Sequence, residues 1–177
     1  MAKTIFITGG TRSGKSLFAE KTALGFGAPL CYLATAQSLD EEMGDRIEQH
    51  QNRRGDAWHT IEEDLHLTQA LARSDGSYRA ILVDCLTLWI SNLLFRYEDS
   101  GEDAAERILE DVHRLTATLR DMQTPVIFVS NEVGMGIVPD NKLARVFRDI
   151  AGQINQILAA GADEAWMVVS GIPLRLK

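Results

Sequence analysis

Two hydrophobic rhythms alternate along the chain. Short, continuous apolar runs rich in Val and Ile occupy positions 5–8, 30–34, 80–84, 126–130 and 165–169, each bounded by Gly, Pro or polar residues. Such runs suit strands buried on both faces of a parallel sheet, because neither face has to alternate with water. Between them, apolar residues recur three or four apart. Ile108, Val112, Leu115, Leu119 and Met122 form one stripe, and Leu86, Trp89, Ile90, Leu93, Leu94 and Tyr97 another. Leu143, Val146, Phe147, Ile150, Ile154, Ile157 and Leu158 form a third, with Gly161 as its stop. That spacing places one apolar face on a helix, and the stripes read as core. Strand–helix alternation implies right-handed crossovers and a three-layer α/β fold with a mostly parallel central sheet. A last run at 172–176, behind Ser170-Gly171, reads as an antiparallel edge strand. The acidic stretch 98–106 reads as a solvated loop leading into a helix. No repeat, low-complexity segment or shift in composition divides the 177 residues, which are read as one domain, 1–177.

Composition narrows the function classes. A chain that is 45% hydrophobic and 24% charged buries one sizeable core and is neither disordered nor fibrous. No apolar run approaches the ~18 residues of a membrane helix. The net charge of −7 argues against non-specific nucleic-acid binding, while leaving room for a local basic pocket. Met1-Ala2-Lys3-Thr4 leads directly into Ile5-Phe6-Ile7 without a secretory pattern, so the expected compartment is the cytoplasm. Cys31 and Cys85 form no CxxC pair and sit in apolar runs, and they read as small core residues in a reducing compartment. No pair of histidines has metal-ligand spacing.

The sharpest chemical signal is Gly9-Gly10-Thr11-Arg12-Ser13-Gly14-Lys15-Ser16, a full GxxxxGK[ST] phosphate loop between a strand and a helix. Backbone N–H groups turned inward and a helix N-terminus together make an anion site. Lys15 then reaches the β- and γ-phosphates, and Ser16 ligates Mg²⁺. Asp84 ends an apolar strand, where an ionised carboxylate is costly without a cation or hydrogen bonds. It supplies a second Mg²⁺ contact, or an N-cap for the next helix, or both. Ser38-Leu39-Asp40-Glu41 fits a helix capping box. Along the helix it starts, His50 shares a face with Arg46 and with Arg53 or Arg54. Two readings stand for His50: a solvated surface residue, or an imidazole kept neutral and nucleophilic by flanking cations. His59, His66 and His113 lack that setting and read as structural.

The combination resembles a narrower group. The phosphate loop, Tyr32-Leu33-Ala34-Thr35-Ala36, Asp40-Glu41-Glu42-Met43 with Arg46, Ile47 and His50, and Asn131-Glu132-Val133-Gly134-Met135-Gly136-Ile137-Val138-Pro139 look like the bifunctional adenosylcobinamide kinase / adenosylcobinamide-phosphate guanylyltransferase family. The likeness continues through Phe147-Arg148-Asp149-Ile150-Ala151-Gly152 to Val168-Val169-Ser170-Gly171. It implies a RecA-like P-loop fold and a cytoplasmic enzyme of cobalamin synthesis. One activity phosphorylates the aminopropanol hydroxyl of adenosylcobinamide with ATP or GTP. The other transfers GMP from GTP to that phosphate through a GMP-histidine, with Mg²⁺ as cofactor.

Carried over residue by residue, His50 becomes the guanylylated nucleophile. Gly9, Gly10, Thr11, Arg12, Ser13, Gly14, Lys15 and Ser16 cradle the triphosphate, and Ala34, Thr35 and Ala36 line the nucleotide site. Gln51, Asn52, Arg53, Arg54 and Glu62 contact the nucleotide, and Asp84 takes the Mg²⁺ position with Ser16. The resemblance also implies a homo-oligomer. Gln49-His50 stands where a pair of histidines is frequent, and Asp84 where Glu is frequent. Glu62 has a second reading, a first-turn helix residue inside a Thr60/Glu63 capping box. Asn131 and Glu132 end a strand on the active-site side and either bind the corrinoid or assist its hydroxyl. Rival readings are a plain small-molecule kinase with an inert His50 and a nucleotide-dependent switch protein.

Overall fold

A computed structural model describes residues 2–36, 55–98 and 104–177. In chain order its elements are β1 (Thr4–Gly9), α1 (Lys15–Leu24), β2 (Leu30–Ala34), β3 (Trp58–Glu62), α2 (Leu67–Ser74), β4 (Ala80–Asp84), α3 (Leu86–Arg96), α4 (Ala104–Asp121), β5 (Val126–Asn131), α5 (Lys142–Gly161), β6 (Glu164–Val169) and β7 (Ile172–Arg175). The strands form one sheet in the order β3-β2-β4-β5-β1-β6-β7. Every pairing is parallel except β6 with β7, where Val169 faces Ile172 across a tight hairpin. The parallel sheet and its antiparallel last strand agree with the sequence reading.

Alternation along the inner strands divides the core in two. Phe6, Leu33, Val83 and Phe128 point to one face, where α2 to α5 bury Leu71, Trp89, Ile108, Leu115 and Ile154 against them. Ile5, Ile7, Leu82 and Val129 point to the other, against Ala19 and Ala23 of α1. Two buried faces explain why these strands read as unbroken apolar runs.

Four expectations need correction. Trp58–Glu62 is a strand, so Thr60 and Glu63 do not open a helix. Glu63 instead accepts hydrogen bonds from the N–H groups of Leu65 and His66, immediately before α2. Cys85 lies one residue beyond β4 rather than within it. The helix expected after the acidic loop already begins at Ala104, inside that stretch. Gly161 is the last residue of α5, but the cap is Ala162 in extended conformation, so no left-handed glycine ends this helix.

Candidate nucleotide site

Strand register sets the site. Ala34 is level with both Glu62 and Asp84, and Gly9 with both Asn131 and Val168. These residues therefore end on one edge of the sheet, outside the carboxyl ends of the strands, where open α/β sheets bind ligands.

The phosphate loop leaves this edge as a tight arch. Ser13 N–H donates to the Gly10 carbonyl at 3.2 Å, and Gly171 N–H at the β6–β7 turn donates to the Ser13 carbonyl at 2.8 Å. Two loop residues are left-handed: Arg12 at φ 56° and Gly14 at φ 95°. A Cβ on Gly9 would stand 2.5 Å from the Val168 carbonyl oxygen and 2.7 Å from Ser13 Oγ, so this position admits only glycine without a shift. α1 begins at Lys15, and its N-cap, Gly14, has no side chain to cap the first turn, whose N–H groups point toward the loop.

Lys15 is buried, and its Nζ donates to the Gly10 carbonyl at 3.1 Å. Burial depresses its pKa, opposed chiefly by the negative charge of Asp84. The ammonium and the Asp84 carboxylate are thus close enough for their charges to act on each other. The cap of α3 falls on Cys85, which makes no side-chain cap bond, so the N-cap reading of Asp84 is not what the structure shows. A cis peptide joins Asp84 to Cys85. Thr35 is fully buried, and its hydroxyl donates to the Cys85 carbonyl at 2.7 Å and accepts from Cys85 N–H at 2.9 Å. The Asn92 side chain donates to the Thr35 carbonyl at 2.9 Å and the Asp64 carbonyl at 3.1 Å. Thr35 therefore braces the ends of β2 and β4, beside buried Ala34 and half-buried Ala36. Glu62 is exposed at the end of the edge strand β3.

The residues present fit a nucleotide with Mg²⁺. Among the described residues, three buried side-chain polar atoms lack a partner: Thr8 Oγ1, Ser13 Oγ and Asn131 Oδ1. All three belong to the end of β1, its loop, or the adjoining end of β5. Ser16 is half-buried in the first turn of α1, as is Asp84 at the end of β4. One hydroxyl and one carboxylate beside a phosphate cradle is the sparse donor set that Mg²⁺ shares with phosphates and water. Among the described residues, no group of three or more His, Cys, Asp or Glu could hold a metal by protein ligands alone.

His50, Gln51, Asn52, Arg53, Arg54 and the Ser38/Glu41 capping box lie outside the described residues. The sequence reading missed a polar cluster behind the site: Thr87, Ser130 and Asn155, all buried. Asn155 carried a signal, since it falls beside Ile154 on the apolar stripe of α5, where a polar residue needs partners.

Glycine arch, buried lysine, strand-end carboxylate and strand order define a P-loop nucleotide-binding protein of RecA-like fold. Two solved structures share that fold: flagellar accessory protein FlaH from Methanocaldococcus jannaschii (TM-score 0.53, 14% identity, 99% of this chain and 78% of that one) and the RadB recombinase (TM-score 0.52, 14% identity, 93% and 73%). The family described as cobinamide kinase / cobinamide phosphate guanyltransferase matches residues 5–176, and this chain belongs to it. The bifunctional adenosylcobalamin biosynthesis protein CobU of Salmonella typhimurium is 46% identical over 180 residues, covering 98% of this chain and 99% of that protein. Escherichia coli CobU is 43% identical over the same span and coverage, and Pseudomonas aeruginosa CobP is 41% identical over 171 residues, covering 97% and 95%.

Proposed function

We propose that the chain phosphorylates the aminopropanol hydroxyl of adenosylcobinamide with ATP or GTP, then transfers GMP from GTP to the new phosphate, giving adenosylcobinamide-GDP and pyrophosphate. The observation that carries this reading is the phosphate arch with Lys15 buried in it and within electrostatic reach of Asp84, in a chain that matches the cobinamide kinase family from residue 5 to residue 176. Gly9 to Ser16 hold the triphosphate through backbone N–H groups, and Lys15 draws the β- and γ-phosphates inward. Ser16 and Asp84 are the residues that would hold Mg²⁺, which when bound would supply charge neutralisation at those phosphates. Burial of Lys15 strengthens its attraction for an anion relative to a solvated ammonium.

For the second activity, an imidazole nitrogen of His50 attacks the α-phosphorus of GTP. The bond from that phosphorus to the bridging oxygen breaks, and pyrophosphate leaves with the electron pair. The phosphate of adenosylcobinamide phosphate then displaces His50, so one hard transfer becomes two. Arg46, Arg53 and Arg54 are the sequence neighbours suited to keep the imidazole neutral and offset charge in transfer. Gln51, Asn52, Arg53 and Arg54, which follow the histidine in sequence, contact the nucleotide, and Glu62 accepts from guanine N1–H and the exocyclic amine. The chain works in the cytoplasm as one nucleotide-binding domain within a homo-oligomer. It has no helix long and apolar enough to cross a membrane among the described residues.

Incubation with α-labelled GTP and Mg²⁺ tests the histidine. The wild type takes up acid-labile label equivalent to one GMP, located by mass spectrometry on the peptide holding His50. His50→Asn takes up none and still forms adenosylcobinamide phosphate. An unlabelled wild type removes the covalent route and leaves the kinase.

A further inference from the structure

β5 runs further than its neighbour β4. Their pairing ends at Asp84 with Val129, whereas the pairing of β5 with β1 continues to Gly9 with Asn131. On its β4 side, the N–H of Asn131 has no strand to bond, and Thr87 from the first turn of α3 takes that place, accepting it on Oγ1 at 2.7 Å. Ser130 donates its hydroxyl to Asn155 Oδ1 at 2.7 Å, and Asn155 Nδ2 donates to the Asn131 carbonyl at 3.3 Å. The Thr87 and Ser130 hydroxyls stand 3.5 Å apart. With the Ser130 proton committed to Asn155, the open lone pair of Ser130 faces the Thr87 hydroxyl. The result is a ring of hydrogen bonds that leaves Asn131 by its N–H and returns by its carbonyl.

Burying Thr87, Ser130 and Asn155 at a helix–sheet junction is costly unless each is satisfied, and a closed ring satisfies them mutually. The ring fixes the backbone of one residue. The next residue is fixed too, since Glu132 N–H donates to the Gly9 carbonyl at 3.0 Å, tying the end of β5 to the start of the phosphate loop. The two candidate side chains then differ. Glu132 Oε1 accepts from Gly134 N–H at 2.9 Å and so braces the following loop. Asn131 Oδ1 is buried beside the loop without a partner.

We propose that Asn131 receives and orients the hydroxyl that attacks the γ-phosphorus in the kinase reaction. This rests on the kinase activity proposed above. An amide oxygen repels phosphate oxygens and takes no proton, so beside a phosphate cradle its complement is an O–H donor. The acceptor hydroxyl donates to Oδ1, which turns an oxygen lone pair toward the γ-phosphorus. The oxygen–phosphorus bond forms as the bond to the β,γ-bridging oxygen breaks. The nucleoside diphosphate leaves with that electron pair, and the hydroxyl proton passes to an oxygen of the transferred phosphoryl group and on to solvent. A loose transition state needs this orientation more than a strong base.

The test compares two reactions of the full chain: phosphorylation of adenosylcobinamide, and guanylyl transfer to supplied adenosylcobinamide phosphate, whose hydroxyl is already esterified. In Asn131→Ala, kcat for phosphorylation falls roughly 10²-fold, while the nucleotide KM and the guanylyl transfer rate stay within about threefold of wild type. Asn131→Asp, which keeps an acceptor oxygen at the same place, recovers part of the lost kcat. Asn131→Leu, of similar size, reads the same loss should the alanine variant fold poorly. The inference is overturned if Asn131→Ala keeps its kinase kcat, if both reactions fall in parallel, or if the nucleotide KM alone rises. The first denies a role; the others assign Asn131 to the nucleotide or its metal water. A wild type that forms no phosphorylated corrinoid overturns the functional reading and this inference with it.

Discussion

Burial acts in opposite directions on Lys15 and Cys31, because one is a cation when charged and the other an anion. In Lys15 burial depresses the pKa against the pull of Asp84, so its environment favours any step that brings phosphate charge to it. In Cys31, fully buried in β2, burial pushes the thiol up from 9.0 to about 12. Below pH 9 the thiol keeps its proton in folded and unfolded chains alike. Above it, the unfolded chain releases a proton that the folded chain retains, so stability falls as pH rises through the window from 9.0 to about 12. The slope from one such thiol is about 1.4 kcal/mol per pH unit. The measurement is urea unfolding of wild type and Cys31→Ala at pH values on both sides of 9. The alanine variant is less stable at neutral pH, and its deficit shrinks by about 1.4 kcal/mol for each unit gained above that point. A deficit independent of pH would show that the thiol ionises as freely in the fold as outside it.

At the scale of elements, the stability of α5 depends on one cap. Asn141 accepts on its side-chain oxygen from Leu143 N–H at 2.8 Å and Ala144 N–H at 3.3 Å, satisfying two donors that a helix start leaves open. Asn141→Ala should cost about 1 kcal/mol in urea unfolding with an unchanged m-value, and Asn141→Asp should cost less. Some elements were readable in the sequence and others were not, for physical reasons. β1, β2, β4 and β5 show as apolar runs because helices cover both faces of the sheet interior, and β6 shows as one although it is only half-covered. β3 does not, because Trp58-His59-Thr60-Ile61-Glu62 is a half-covered edge whose alternating pattern also fits a helix start. The phosphate loop was legible because its chemistry is local, fixed by residues within eight positions. The ring through Thr87, Ser130 and Asn155 was not, because its members lie 43 and 25 positions apart and meet only after α3 and α5 pack on β5. Of that ring, only Asn155 disturbed a hydrophobic pattern.

The whole molecule is an edge built by strand order. Placing β5 between β4 and β1 sets Asp84 and the phosphate arch on either side of the end of β5, so the proposed triphosphate site draws on three strands and the first turn of α1. The chain carries −7 overall, so affinity for an anion does not come from its general field, and the local arch and Lys15 are the proposed source. That makes the linkage between ligand and fold testable as a single quantity. Nucleotide with Mg²⁺ at 100 times its Kd stabilises the folded chain by about 2.7 kcal/mol, which in a domain of this size raises Tm by about 5–10 °C. Lys15→Ala removes an ammonium that is costly to bury, but also the cation beside Asp84; with the two effects opposed, its Tm without nucleotide should stay near that of wild type. With nucleotide at the same concentration, its shift should largely disappear, and chelating Mg²⁺ should reduce the wild-type shift. Differential scanning calorimetry of the two proteins with and without GTP, and of wild type with GTP and a chelator, measures all five values. A Lys15→Ala protein that melts far below wild type without nucleotide would make the lysine a structural support. One that keeps the full shift would put the triphosphate somewhere other than this arch.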